Sequence, residues 1–191
     1  MKQPTLQKRA RDRGLISLLL FLMTFTGDFA IAGSDTSDEY AVKAAMIFNL
    51  PGFTHWPERA LSESSGTLDL CVVTNDRVRG GLAGLDGRAV GKRRFRIRTV
   101  DTEMKFAGCD LLFVSRTEQH KLSHIFRRVE GQPILTIGET DEFVETGGMI
   151  SLITMAQKVK LKVNLNAVRQ AGMKLNSRLL RLATIVENRN E

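Results

Sequence analysis

From Val159 to Asn164 apolar and polar residues alternate without a break, Val159, Leu161 and Val163 against Lys160, Lys162 and Asn164. A period of two is the mark of a strand with one buried face and one wet, here basic, face. Before it, beyond a polar break at Ala156-Gln157-Lys158, apolar residues occupy both alternating sets between Met149 and Thr154, which predicts a strand buried on both faces. Downstream, Asn166 is expected to cap a short helix through Ala167, Val168 and Ala171 that stops at Gly172. Ser177 is expected to cap a last helix carrying Leu179, Leu180, Leu182, Ala183 and Val186. The stretch from Gly147 to Ala183 thus gathers a basic strand face and Arg169, Arg178 and Arg181 around one apolar seam. It carries no catalytic motif and reads as a surface built to receive something.

The first 32 residues stand apart from the fold. Lys2, Lys8, Arg9, Arg11 and Arg13 form a basic start, and Ala30-Ile31-Ala32 a small-x-small cleavage site. The apolar run between them, Leu15 to Phe25, is shorter than the roughly 20 residues a bilayer span needs. The reading is a cleaved secretory signal over 1–32 followed by one domain over 33–191, with an uncleaved anchor as the alternative. The net charge of +7 includes +3 from five basic and two acidic residues of this leader, leaving +4 for the domain. That modest charge, without aromatic residues interleaved among the basic ones, excludes nucleic acid as the expected partner.

Along the domain, a helix from Asp38 carries Tyr40, Val42, Ala44, Ala45, Ile47, Phe48 and Leu50, an apolar surface wider than one stripe. It is expected to be largely buried and to break at Pro51-Gly52, with Trp56 as a lid over the core. Strands are expected at Leu68–Thr74, Phe95–Arg98, Asp110–Val114 and Ile134–Ile137, with helices at Val78–Leu85 and Glu118–Val129, a short turn over Glu103–Ala107, and Phe143 in a loop. Arg94, Arg96 and Arg98 share one strand face, either solvated or an anion patch. The order of elements predicts an α/β fold: a single three-layer-like domain, with a mostly parallel sheet, an antiparallel C-terminal strand pair and flanking helices.

Chemistry is sparse. The glycines at 80, 81, 84 and 87 do not have the dinucleotide-loop spacing, and Ser115 lacks a G-x-S-x-G elbow. His120 and His124 are four apart on a helix but outside any HExxH pattern, and Asp110, Glu139, Asp141 and Glu142 form no recognisable acid–base pair. No enzyme, metal or cofactor is expected. Cys71 and Cys109, a lone pair in an exported chain, read as one disulfide, with two buried thiols as the alternative.

Four stretches together carry a resemblance. They are Tyr40-Ala41-Val42-Lys43-Ala44-Ala45-Met46-Ile47-Phe48-Asn49 with Trp56-Pro57; Gly108-Cys109-Asp110 through Ser115; Pro133 through Glu139; and Gly147-Gly148-Met149-Ile150 on through Asn164-Leu165 to Ser177-Arg178-Leu179-Leu180. In this order the chain resembles the YfiR family of exported regulators. The resemblance implies a periplasmic, homodimeric repressor with a disulfide. Such a repressor binds the periplasmic sensor domain of an inner-membrane diguanylate cyclase and holds down cyclic-di-GMP synthesis. An outer-membrane OmpA-like lipoprotein can sequester it. Some relatives carry a second cysteine pair that is absent here, so redox control built on two bridges does not carry over. Charge and pattern, not the resemblance, place the expected partner contact at Lys160, Lys162, Arg169, Arg178 and Arg181, with a merely solvated basic face as the alternative. The competing functional reading is a periplasmic binder of a small anion or carboxylate, serving another membrane sensor through a crevice at the strand ends.

Overall fold

The computed structural model describes residues 35–58, 60–61, 66–74, 76–102 and 106–186. The expected leader, 1–32, lies outside these residues, as do residues 103–105 of the turn expected over Glu103–Ala107.

A helix, α1 (Asp35–Phe53), leads into a two-residue strand, β1 (Thr54–His55). Next come β2 (Thr67–Val73), α2 (Asp76–Ala83), β3 (Ala89–Val90), β4 (Arg93–Thr99) and β5 (Leu111–Val114). A 3-10 turn (Arg116–Lys121) runs into α3 (Leu122–Val129), followed by β6 (Leu135–Gly138) and α4 (Asp141–Glu145). The C-terminal unit is β7 (Ile150–Met155), β8 (Lys158–Asn164), α5 (Leu165–Gln170), β9 (Lys174–Leu175), α6 (Ser177–Leu180) and β10 (Ala183–Val186). The main sheet has the order β10-β8-β7-β6-β5-β2-β4-β3, and β1 pairs with β9 in a small second one. Strands β4, β2, β5, β6 and β7 are mutually parallel, and β8 returns antiparallel to β7.

All four residues of β5 and of β6 are buried, as strands covered on both faces must be. One face packs Leu70, Val72, Leu111, Phe113 and Ile137 against α1, α2 and α5. The other packs Cys71, Val73, Leu112 and Val114 against α3 and α4. This is the expected three-layer α/β arrangement. Cys71 and Cys109 are joined as a disulfide with a Cα–Cα distance of 5.7 Å, tying β2 to the approach of β5.

Several local expectations are corrected. Helix α1 continues through Pro51, which sits in its last turn, where only the Ile47 carbonyl loses a backbone partner. The Thr54 hydroxyl then closes the end by donating to the Leu50 carbonyl at 2.9 Å. Nor is α1 largely buried: Lys43, Ala44, Ile47 and Leu50 face the core, while Val42 remains 48 % exposed. Phe143 lies in α4, not in a loop, and its ring fills space that side chains at Gly138 and Gly148 would take; a Cβ at either would come within 2.2 Å of it.

The α5 cap is Asn164, not Asn166. Its Oδ1 accepts from the Ala167 amide at 3.1 Å and its Nδ2 donates to the Val144 carbonyl at 2.9 Å. Asn164 is therefore buried, and the wet face of β8 stops short of it. The expected last helix is one turn, capped by Asn176 and not Ser177. The β-branched run Thr184-Ile185-Val186 then extends as β10, parallel to β8.

Candidate functional site

Helix α1 organises two features, a buried ionic cluster at its start and an open groove along its flank. At the cluster, the Lys43 ammonium is fully buried and lies 2.5 Å from Glu139 Oε1 and 2.5 Å from Glu39 Oε1. Glu139 Oε2 accepts the Arg116 amide at 2.8 Å and the Tyr40 hydroxyl at 3.4 Å. Glu39 accepts the Thr154 hydroxyl at 2.7 Å, and the Arg116 guanidinium stands 3.7 Å away. Burial opposes the charge on Glu39, but hydrogen bonds from Lys43 and Thr154 and the charges of Lys43 and Arg116 outweigh it and hold its pKa below the usual value. Burial first, then the Glu139 charge, pushes the Tyr40 phenol up.

Two carboxylates thus meet two cations, and each buried charge has a partner. Chemically this is a fastener of α1 to the ends of β6 and β7. Sequence reasoning missed it. The available signal was a lysine within an apolar stripe, four residues after a glutamate.

The groove has a volume of about 830 Å³. One wall is α1, with Val42, Ala45, Met46, Asn49 and Phe53 and with Leu50 at its floor; the other is Val159, Lys160 and Leu161 of β8 with Leu179, Leu182 and Thr184. Its walls are apolar apart from a few residues, and among the described residues lining it Lys160 is the single charged one. Leu182 at 77 % and Ile185 at 37 % exposure extend the apolar surface around β10.

The five basic residues expected at a partner contact are not all brought together. Lys160 lines the groove. Arg178 and Arg181 are exposed on the turn that brings Leu179 and Leu182 into it. Lys162 is instead ion-paired with Asp141 at the start of α4. Arg169 is exposed on α5, 3.5 Å from Asn166 Oδ1.

The arginine run of β4 has partners within the chain, beginning with Arg94, which donates to the Gly87 carbonyl at 3.0 Å. Arg96 grips Asp69 with two hydrogen bonds of 2.5 and 2.8 Å, and Arg98 donates to the Gly108 carbonyl at 2.9 Å beside the disulfide. Next to it, burial and the neighbouring Asp69 charge raise the pKa of Asp110, against the pull of its hydrogen bond from the Asp69 amide. The Ser115 hydroxyl is hydrogen-bonded with Thr117 at 2.8 Å, and His124 lies 3.3 Å from the Thr102 carbonyl.

The fold is similar to that of a conserved domain protein from Vibrio cholerae O1 biovar El Tor, at 12 % identity and a TM-score of 0.55 over 76 % of this chain and 59 % of that one. It is also similar to an ABC domain from Streptococcus pneumoniae solved in complex with L-Trp, at 10 % identity and a TM-score of 0.52 over 78 % of this chain and 60 % of that one. This chain therefore matches about three-fifths of the length of each, and the likeness is one of fold. The family model described as YfiR/HmsC-like matches residues 40–184. That span runs from the Tyr40 of the ionic cluster to the Thr184 of the groove, and the family's standing as periplasmic regulators supports a regulatory role over a catalytic one. On this match the chain belongs to the YfiR/HmsC-like family.

Proposed function

We propose that this chain is a periplasmic repressor, exported by a signal over residues 1–32. It would bind the periplasmic sensor domain of an inner-membrane diguanylate cyclase and hold cyclic-di-GMP synthesis down. The observation that carries this reading is the second apolar stripe of α1, which the chain's own core leaves uncovered along a groove. An apolar groove with a cationic margin suits a protein partner, because desolvated apolar contacts give affinity and marginal charges give approach and selectivity. Of the five basic positions, Lys160 borders the groove, Arg178 and Arg181 are exposed beside its Leu179 and Leu182 in the chain, Arg169 is exposed on α5, and Lys162 is held by Asp141.

Repression follows if the groove binds the inactive sensor conformation better than the active one. Moving a sensor from 1:99 to 99:1 needs a preference of about 10⁴-fold. Homodimerisation and capture by an OmpA-like lipoprotein of the outer membrane complete the scheme as further proposals.

The test is calorimetric binding of the purified sensor domain, followed by its cyclase activity in membranes. Val42→Glu and the pair Lys160→Glu with Arg181→Glu are expected to abolish binding while leaving the fold intact. Undiminished binding by both variants would rule out this surface. The groove's volume also lies within the roughly 300–1,000 Å³ of small-molecule sites, so a second reading places an apolar carboxylate there against Lys160. A ligand of that kind, released by Lys160→Glu alone with no sensor binding by the parent protein, would favour the second reading.

A further inference from the structure

Strand β10 closes one end of the main sheet and pairs on one side only, with β8. Among the described residues no strand pairs with its other side. An unpaired edge presents backbone donors and acceptors in register for one more strand, and extended peptides use such edges as docking sites. Here the edge is continuous with the groove, because Thr184 of β10 and Leu182 just before it both line the groove. Ala183 packs against the α1-side core, so by the period of two Ile185 stands on that same face, where it remains partly exposed.

The surroundings select the occupant. Lys160 borders the groove on β8, its side chain by the period of two on the sheet face of Lys162 and opposite Val159 and Leu161; Arg178 and Arg181 are exposed on the turn before β10, and among the described residues no acidic one lines the groove. A second copy of this chain would meet the surface across a twofold axis, setting these cations against their own counterparts. An extended segment alternating apolar with acidic residues would instead cover Ile185 and Leu182 and neutralise the margin. We infer that β10 is the docking edge for such a segment of the partner, which adds to the eight-stranded sheet as a ninth strand. This inference rests on the reading of the chain as a partner-binding repressor and names the form the partner takes at the groove.

Hydrogen–deuterium exchange of the purified protein tests it, with two probes. One is the cyclase sensor domain and the other a short blocked peptide alternating valine with glutamate; a peptide alternating valine with lysine is the control. Protection of the β10 amides by the sensor domain and the acidic peptide, but not by the basic one, is the expected result. Successive residues of a strand aim their N–H groups to opposite sides, so either Thr184→Pro or Ile185→Pro removes an outward donor without removing a bond to β8. Whichever of the two keeps the parent melting temperature should bind the sensor domain about tenfold more weakly.

A sensor domain that binds while β10 exchanges freely overturns strand addition and leaves the repressor reading standing. A sensor domain that fails to bind, while the acidic peptide protects β10, keeps the docking edge and overturns the choice of partner. Equal protection by the acidic and basic peptides, or protection of β10 by neither probe, overturns the inference. Loss of β10 exchange on self-association alone would assign the edge to a second copy and overturn it as well.

Discussion

Lys43 on α1 and Glu139 just beyond β6 form an ion pair, 2.5 Å from Nζ to Oε1, with both side chains fully shielded from water. Removing one member strands the other in the interior. Lys43→Met is therefore expected to cost about 3–5 kcal/mol in denaturant unfolding, and Lys43→Met with Glu139→Gln to recover most of it. Equal unfolding midpoints for the single and double variants would show that the two charges do not act as a pair.

Acid should act on the same cluster. Glu39 has a folded pKa below its ordinary value of 4.5, so its charge contributes stability in full above that pH, and the contribution fades as pH falls through the folded value. Asp110 has the opposite sign. Its folded pKa is above the ordinary 3.8, so the contribution is present below that pH and lost as pH rises through the folded value. Melting temperature followed against pH should thus flatten below pH 4.5 in Glu39→Gln, and flatten above pH 3.8 in Asp110→Asn.

The β7–β8 hairpin turns on Ala156 and Gln157 with φ of 46° and 62°, left-handed at two positions without glycine. Such a turn matches the twist of its strands but strains residues that carry a Cβ. Ala156→Asn with Gln157→Gly should raise stability by about 1–2 kcal/mol, seen as a later denaturant midpoint with an unchanged slope. A decrease would mean that the turn's present side chains make contacts worth more than the strain.

Cys71 and Cys109 are 38 residues apart, and their bridge restricts a long loop of the unfolded chain. Replacing both by alanine should cost about 4 kcal/mol on the chain-entropy estimate. The same unfolding curve for parent and variant under reducing conditions, with a gap between them only when oxidised, would assign that loss to the covalent link.

What the sequence made legible was local. The alternation from Val159 to Val163 and the apolar runs around Leu111 and Ile134 place strands because their periods follow from the backbone itself. The strands' parallel order followed from the helices between them. The rest depended on partners distant in the chain. Glu139 lies 96 residues from the lysine it neutralises, and no local pattern joins them. Asn164 and Asn166 are equally good caps by type, and the choice is made by the Val144 carbonyl, which takes the Asn164 amide. The end of the chain read as a helix because leucines at 179, 180 and 182 suit either form, whereas the free side of β8 decided for a strand. At the candidate site the basic residues are legible but their engagement is not: no local pattern distinguishes Lys162, which Asp141 holds, from Lys160. The wide apolar surface of α1 is legible too, but nothing local says which half of it the fold will cover.

The sheet's two ends are β3, two residues long, and β10, four. Short edges are one way a sheet resists endless lateral growth, since each added strand gains few backbone bonds and offers little to the next. Among the described residues β10 offers four positions, room for one short addition and little for further lateral growth. Lengthening that strand by a few β-branched positions would offer a neighbouring strand more backbone donors and acceptors and so favour edge-to-edge association.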